Sequence, residues 1–257
     1  MSKFVIGDIH GGYRGLIQVL EKANFDYEND TLVSLGDITD GWSEIAECIE
    51  LLMTIKNFVL VKGNHDEWST RFLKLTLKTG PSEYNYNWYR QGGKATYNSY
   101  YNKPDLVDIH MAFLESAELY YIDEDNRLFL HAGLDPDVDL DKQHFMDVGQ
   151  TTKGENAVFY WDRLLWRHMV HSHEHGNDIT WPRYKEIYIG HTPTNRKVEF
   201  EHGLPVNIGN VWNMDTGAAY DGKISLMNLD TKELFQSDLL YELYPDEMGR
   251  NGEYLAK

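Results

Sequence analysis

Six side chains able to hold a metal ion, Asp8, His10, Asp37, Asn64, His131 and His191, stand at the ends of five short apolar runs: FVIGDIHG, LVSLGDITD, FVLVKGNHDE, LFLHAG and IYIGHTP. Carboxylates, imidazoles and a carboxamide without cysteine suit a borderline or hard divalent ion such as manganese, iron or zinc better than calcium or magnesium alone. A pair of ions would use every group. In that arrangement Asp37 bridges, Asp8 and His10 complete the protein ligands of one ion, and Asn64, His131 and His191 complete those of the other. Two carboxylates leave such a pair with a net charge of about +2, or about +1 with a bridging hydroxide, which draws in a phosphate dianion. Two ions roughly 3.5–4 Å apart deprotonate a shared water at neutral pH and hold phosphoryl oxygens during in-line attack. His65, directly after Asn64, is placed to protonate a leaving alkoxide. Asp40, three residues after Asp37, is placed to orient that imidazole and to favour its charged form.

These residues need elements that bring them to one edge. Each run is rich in Val, Ile, Leu and Phe and breaks at Gly or a small turn residue, the pattern of a strand buried on both faces. Parallel strands of this kind need helical crossovers. Leu16, Ile17, Val19 and Leu20 after GDIHGG, and Ile45, Cys48, Ile49 and Leu52 after GDITDG, fall at helical spacing. The N-terminal segment therefore reads strand, helix, strand, helix, strand. In open α/β sheets, ligands collect beyond the carboxyl ends of the strands, where all six candidates stand. Any one motif has an ordinary explanation, since Asp after Gly is often a turn residue and Asp40 alone has the ordinary reading of a cap on a helix starting near Ser43. Their repetition in order, each behind a strand, carries the reading.

The strings GDIHG, GDITD, GNHDE, HAG and GHTP resemble the calcineurin-like metallophosphoesterase superfamily, and more narrowly its PPP-type serine/threonine phosphatase branch with small bacterial and phage members. NMDTGAAYDGKISLMNLD is similar to that family's closing strands. The resemblance implies a four-layer α/β/β/α sandwich, two mixed β-sheets flanked by helices. It also implies the two-metal roles above, with manganese the expected ion and iron or zinc as alternatives, and direct hydrolysis without a phosphoenzyme. Pro193 stands where many superfamily nucleases and cyclic-nucleotide phosphodiesterases carry a further metal-binding histidine, which points to the PPP-like branch. One position departs. The PPP pattern places an arginine that holds a phosphate oxygen directly after the position of Asp40, and here that place is Gly41. Losing such a charge-assisted contact costs roughly 1.5–3 kcal/mol. Within DRLLWRHM, Arg167 falls where the family's second phosphate-binding arginine is expected, and Lys94 or Arg90 are candidates to replace the first.

The function expected is a metal-dependent phosphomonoesterase of the serine/threonine protein phosphatase type, with a phosphorylated protein or peptide as substrate. The alternative among enzymes is a symmetrical diadenosine tetraphosphate hydrolase acting on a small phosphate ester or nucleotide. A catalytically silent phosphate-binding module, motivated by Gly41, predicts decay at the other functional positions, and none is visible. The 257 residues are read as one domain with a helical, aromatic-rich insert at about 68–118. In YNYNWYRQGGKATYNSYY, core packing is expected, with base stacking by Trp88 or Tyr89 as the sign of a nucleotide substrate. His168, His171, His173 and His175 read as a solvated stretch, because no acidic or cysteine spacing defines a shell. A net charge of −17 opposes nonspecific nucleic-acid binding. No apolar stretch approaches the ~18 residues of a membrane span. With Cys48 on an apolar helix stripe and a first strand beginning by Phe4, a cytoplasmic location is expected.

Overall fold

The computed structural model describes residues 1–143, 157–196 and 203–253. The chain opens as β1 (Lys3–Ile6), α1 (Tyr13–Lys22), β2 (Thr31–Ser34), α2 (Ile45–Met53) and β3 (Asn57–Leu60), the alternation expected from the apolar spacing. It continues through α3 (Asn64–Thr79), α4 (Tyr86–Trp88), a π-helical turn at Tyr89–Gly93, α5 (Lys94–Tyr101) and α6 (Pro104–Glu115). Then come β4 (Tyr120–Ile122), β5 (Arg127–Leu130), α7 (Val158–Trp161), α8 (Leu164–Glu174) and β6 (Glu186–Ile189). The chain closes with β7 (Val206–Ile208), β8 (Val211–Asn213), β9 (Ser225–Asn228), β10 (Leu234–Gln236), α9 (Leu240–Leu243) and a 3₁₀ turn at Gly249–Glu253.

The strands form two mixed five-stranded sheets, ordered β10-β9-β1-β2-β3 and β4-β5-β6-β8-β7. Each has three adjacent parallel strands: β1, β2 and β3 in the first, β5, β6 and β8 in the second. The period-2 alternation of each strand explains the layering. Phe4, Ile6 and Leu32 face the core shared with α1 and α2, whereas Val5 and Val33 face the other way. On the second sheet Leu128, Leu130, Ile187 and Ile189 face the core shared with α8, and Phe129 and Tyr188 turn inward. Val5, Val33, Phe129 and Tyr188 meet in one cluster between the sheets. The result is helix, sheet, sheet, helix, the four layers expected. One detail differs: FVLV was expected to be buried on both faces, yet β3 is an edge strand and Phe58 and Val59 are only half-buried.

The helices pack where their apolar stripes point. Leu16, Val19 and Leu20 of α1 are buried, as are Ile45, Cys48, Ile49 and Leu52 of α2. In the segment from α3 to α6, Trp88 and Tyr100 are fully buried while Tyr84, Tyr86 and Tyr101 are exposed. Among the described residues no helix is long and apolar enough to cross a membrane.

Candidate metal centre

The parallel strands of both sheets end at the same cavity, of about 420 Å³. Asp8 follows β1, Asp37 follows β2, Asn64 opens α3 after β3, His131 follows β5 and His191 follows β6. All are buried. Two overlapping groups have ligand atoms within 4.8 Å of one another: Asp8, His10 and Asp37, and Asp37, His131 and His191. Asp37 belongs to both. Asn64 joins the second, its Oδ1 lying 3.1 Å from His131 Nε2.

Backbone carbonyls fix which edge each imidazole presents. His10 Nδ1 donates to the Asp40 and Thr39 carbonyl oxygens at 2.6 and 3.0 Å, leaving Nε2 3.7 Å from Asp8 Oδ2 and 3.6 Å from Asp37 Oδ2. His131 Nδ1 donates to the Leu35 carbonyl at 2.8 Å, leaving Nε2 3.3 Å from Asp37 Oδ2. Such outer contacts orient metal-binding histidines. His191 Nε2 is buried with no hydrogen-bond partner among the described residues. An imidazole nitrogen without a partner, beside a carboxylate shared by two donor groups, fits the ions that this donor set suits.

The turns carrying these groups are strained. His10, Asp37, Asp40 and His191 hold φ values of 51°, 52°, 66° and 68°, the left-handed region that costs non-glycine residues energy. Close approach also demands glycine at two places. A Cβ on Gly190 would lie 2.2 Å from Asp8 Oδ1, and one on Gly63 would lie 2.3 Å from Asp37 Oδ1.

His65 Nδ1 lies 2.8 Å from Asp40 Oδ2, which leaves Nε2 as the ring's other polar edge in a residue that lines the cavity. Asp40 Oδ1 accepts from Thr96 Oγ1 at 2.5 Å, Trp88 Nε1 at 3.0 Å and Ser69 Oγ at 3.1 Å. The aromatic-rich segment thus clamps Asp40. Trp88 is buried against this carboxylate and offers no face to a base. Asp66 Oδ1 accepts the Ile38 and Thr39 N–H groups, which shapes the loop after Asp37.

Burial dominates the electrostatics. It pushes Asp40 up to about 7 despite the Thr96 hydrogen bond, and Asp66 up to about 6 with help from Asp37. Burial pulls His131 down, but the charge and hydrogen bond of Asp37, the charge of Asp8 and the Leu35 carbonyl together raise it to about 9. Burial first, then the Arg250 guanidinium, holds His65 well below the usual imidazole value. A carboxylate beside His65 was expected to favour its charged form. Burial of both groups opposes that, raising Asp40 and lowering His65.

Three charged groups lining this cavity were not anticipated: Arg163, Asp215 and Arg250. Arg163 precedes α8 and its Nη1 donates to Thr192 Oγ1 at 3.1 Å. Arg167, the expected phosphate-binding arginine, is exposed on α8 and is not among the lining residues. It sits one helical turn further along the same face, displaced by about 6 Å along the axis from Arg163. Asp215 follows β8, buried, and its Oδ1 accepts Gly217 N–H at 2.9 Å. The apolar-run-then-Asp pattern repeats in NVWNMD and was a readable signal for it. Lys94 and Arg90 line a neighbouring cavity and not this one. His168, His171, His173 and His175 are exposed and join no metal-sized group among the described residues.

Comparison with known proteins agrees with this architecture. The chain is 31% identical over 142 residues to the symmetrical bis(5'-nucleosyl)-tetraphosphatase of Proteus mirabilis (strain HI4320), covering 54% of this chain and 47% of that protein. The corresponding Klebsiella pneumoniae (strain 342) protein is 30% identical over 64% of this chain and 55% of its own length, so the chain spans about half of these two relatives. It is 25% identical to serine/threonine-protein phosphatase 1 of Salmonella typhimurium (strain LT2), over 88% of this chain and 91% of that one. The crystal structure of a metallophosphoesterase from Sphaerobacter thermophilus superposes with a TM-score of 0.54 at 18% identity, covering 99% of this chain and 93% of that chain, and supports the fold. The sequence pattern of the calcineurin-like phosphoesterases matches residues 1–209. With both sheets delivering metal-ligand groups to one cavity, the chain belongs to the calcineurin-like phosphoesterase family.

Proposed function

We propose that the protein is a manganese-dependent, dinuclear phosphomonoesterase acting on phosphoserine or phosphothreonine in a protein or peptide. The observation that carries this reading is the juxtaposition of His65 and its partner Asp40 with two donor groups that share Asp37. Asp8, His10 and Asp37 would hold one ion, and Asp37, Asn64, His131 and His191 the other. Bound there, the ions supply a water deprotonated at neutral pH and a clamp on the phosphoryl oxygens.

The chain's own residues complete the reaction. Asp40, held by Thr96, Trp88 and Ser69, accepts the Nδ1 proton of His65 and fixes the ring. The opposite nitrogen, Nε2, delivers a proton to the leaving alkoxide. Arg163, held by Thr192, takes a phosphate oxygen, the role expected of Arg167. Burial of these groups excludes water and strengthens each electrostatic contact. The net charge of −17 argues against nucleic-acid substrates.

A second reading, hydrolysis of a dinucleoside tetraphosphate, is favoured by a further cavity of about 970 Å³ that shares Arg250 with the metal centre. It has room for a substrate extending beyond the reacting phosphate. The deciding experiment gives manganese-reconstituted protein phosphoserine, phosphothreonine and phosphotyrosine peptides and diadenosine tetraphosphate in parallel. Preferential phosphate release from the phosphoserine or phosphothreonine peptides upholds the first reading. Preferential cleavage of the dinucleotide replaces it with the second.

A further inference from the structure

The C-terminal segment delivers a guanidinium to the metal centre. Arg250 lies on the Gly249–Glu253 turn, far along the chain from the N-terminal motifs, yet it lines the same cavity as Asp8, His10, Asp37 and His65. Its backbone N–H donates to the Ala219 carbonyl at 2.8 Å, fastening the turn to the loop after Asp215. The stem then passes beside Gly92, where a Cβ would lie 3.2 Å from Arg250 Cγ and 3.0 Å from the Asp40 carbonyl carbon. At the head, Nη2 lies 3.4 Å from Gln91 Oε1 and Cζ stands 5.3 Å from the Tyr220 ring centre. Nε is buried and has no partner among the described residues.

The surroundings are built for this approach. Gly249 has φ +53°, and a Cβ there would lie 2.8 Å from Trp42 Cζ2. Trp42 is itself fixed by its Nε1 donating to the Ala218 carbonyl at 2.7 Å and by stacking on Tyr244. Glu247 accepts from the Ser43 N–H and Oγ, tying the tail to the turn after Asp40. Gly41, in that turn, has φ +146°, and a Cβ on it would lie 2.9 Å from the His10 carbonyl oxygen. In this conformation position 41 has no room for a side chain. From the tail, the charge instead reaches the cavity that His10 and His65 line.

We propose that Arg250 is a phosphate-binding residue of the metal centre, supplied by the C-terminal turn and aimed at a non-bridging oxygen of the substrate phosphate. This rests on the phosphoesterase reading of the same cavity. The group it would bind is a phosphate, free as product or esterified as substrate.

The test uses the full-length, manganese-reconstituted protein, with Arg250→Met to keep the apolar stem beside Gly92 and Arg250→Lys to keep a charge. Inorganic phosphate is the probe, read by calorimetry and as a competitive inhibitor, alongside metal content and melting temperature. The expected result is unchanged metal stoichiometry and a roughly 10- to 100-fold weaker phosphate affinity in Arg250→Met, with partial recovery in Arg250→Lys. Unchanged phosphate affinity in a folded, metal-loaded Arg250→Met overturns the proposal. Should Arg250→Met fail to fold, phenylglyoxal labelling of the wild type decides: protection of Arg250 by inorganic phosphate supports the role, and equal labelling overturns it. A wild-type protein that binds phosphate through Arg250 but hydrolyses no phosphoester would instead refute the phosphoesterase reading.

Discussion

The two ends of the strands treat buried charge in opposite ways. At the amino end, Arg127 at the start of β5 is fully buried and each of its guanidinium nitrogens donates: Nε to Asp123 at 2.6 Å, Nη2 to Asp125 at 2.8 Å, and Nη1 to Asp230 and the Leu229 carbonyl, both at 3.1 Å. Because Leu229 and Asp230 follow β9, this cluster ties the second sheet to the first. At the carboxyl end, buried carboxylates crowd together, four non-glycine residues hold left-handed turns, and His191 Nε2 has no partner among the described residues. The amino end spends its buried polar groups on cohesion. The carboxyl end leaves a few of them, His191 Nε2, Asp66 Oδ2 and Arg250 Nε, without partners among the described residues, which is tolerable only where the rest of the fold over-determines the geometry and a ligand supplies the missing partners.

This contrast can be broken first at Asp37, the carboxylate common to both donor groups. Asp37→Ala should lose bound manganese and lower p-nitrophenyl phosphate hydrolysis by at least about 10³-fold, the scale of losing metal-supported charge stabilisation. Retention of two ions with wild-type turnover would remove Asp37 from its shared position. His65→Asn separates chemistry from metal binding at the same edge. Its ion content should match the wild type while turnover falls roughly 10²- to 10⁴-fold, and an unaltered rate constant would end its assignment as the proton donor.

The opposite edge is tested by Arg127→Met, which strands the buried Asp123 carboxylate. Denaturant unfolding should show a loss of about 3–5 kcal/mol, as for other broken buried pairs, with the ion content of the folded protein unchanged. A loss of metal without a loss of stability would mean that the two ends are not separable. The smallest effect is expected from Thr96→Val, which removes one of the three donors to Asp40 Oδ1. That hydrogen bond favours the ionised carboxylate and opposes the burial that already pushes Asp40 to about 7. Removing it raises the value further, so the acid limb of the pH–rate profile should move upward by roughly one unit. A downward shift would contradict the sign of that contact.

Some of this architecture was readable before any coordinates. A metal-type residue lies within a few positions of each strand end, so local order alone placed Asp8, His10, Asp37, Asn64, His131 and His191 at the strand edge where the structure brings these side chains close together. The β1-α1-β2-α2-β3 alternation was equally legible, because apolar spacing reports the period of the backbone. Arg163 and Arg167 show where such reading stops. They stand four residues apart in one motif, and only the start of α8 at Leu164 decides that the first lines the cavity while the second is exposed.

The sequence by itself determined which residue types could hold ions, which imidazole stands beside them, and which runs become strands, since these depend on neighbours along the chain. Tertiary structure decided the rest. It divided the strands between two sheets, turned Trp88 from a possible stacking surface into a donor to Asp40, and brought Arg250 from the tail into the cavity. Those outcomes depend on contacts between segments far apart in the chain, and such contacts leave no periodicity or local spacing to read.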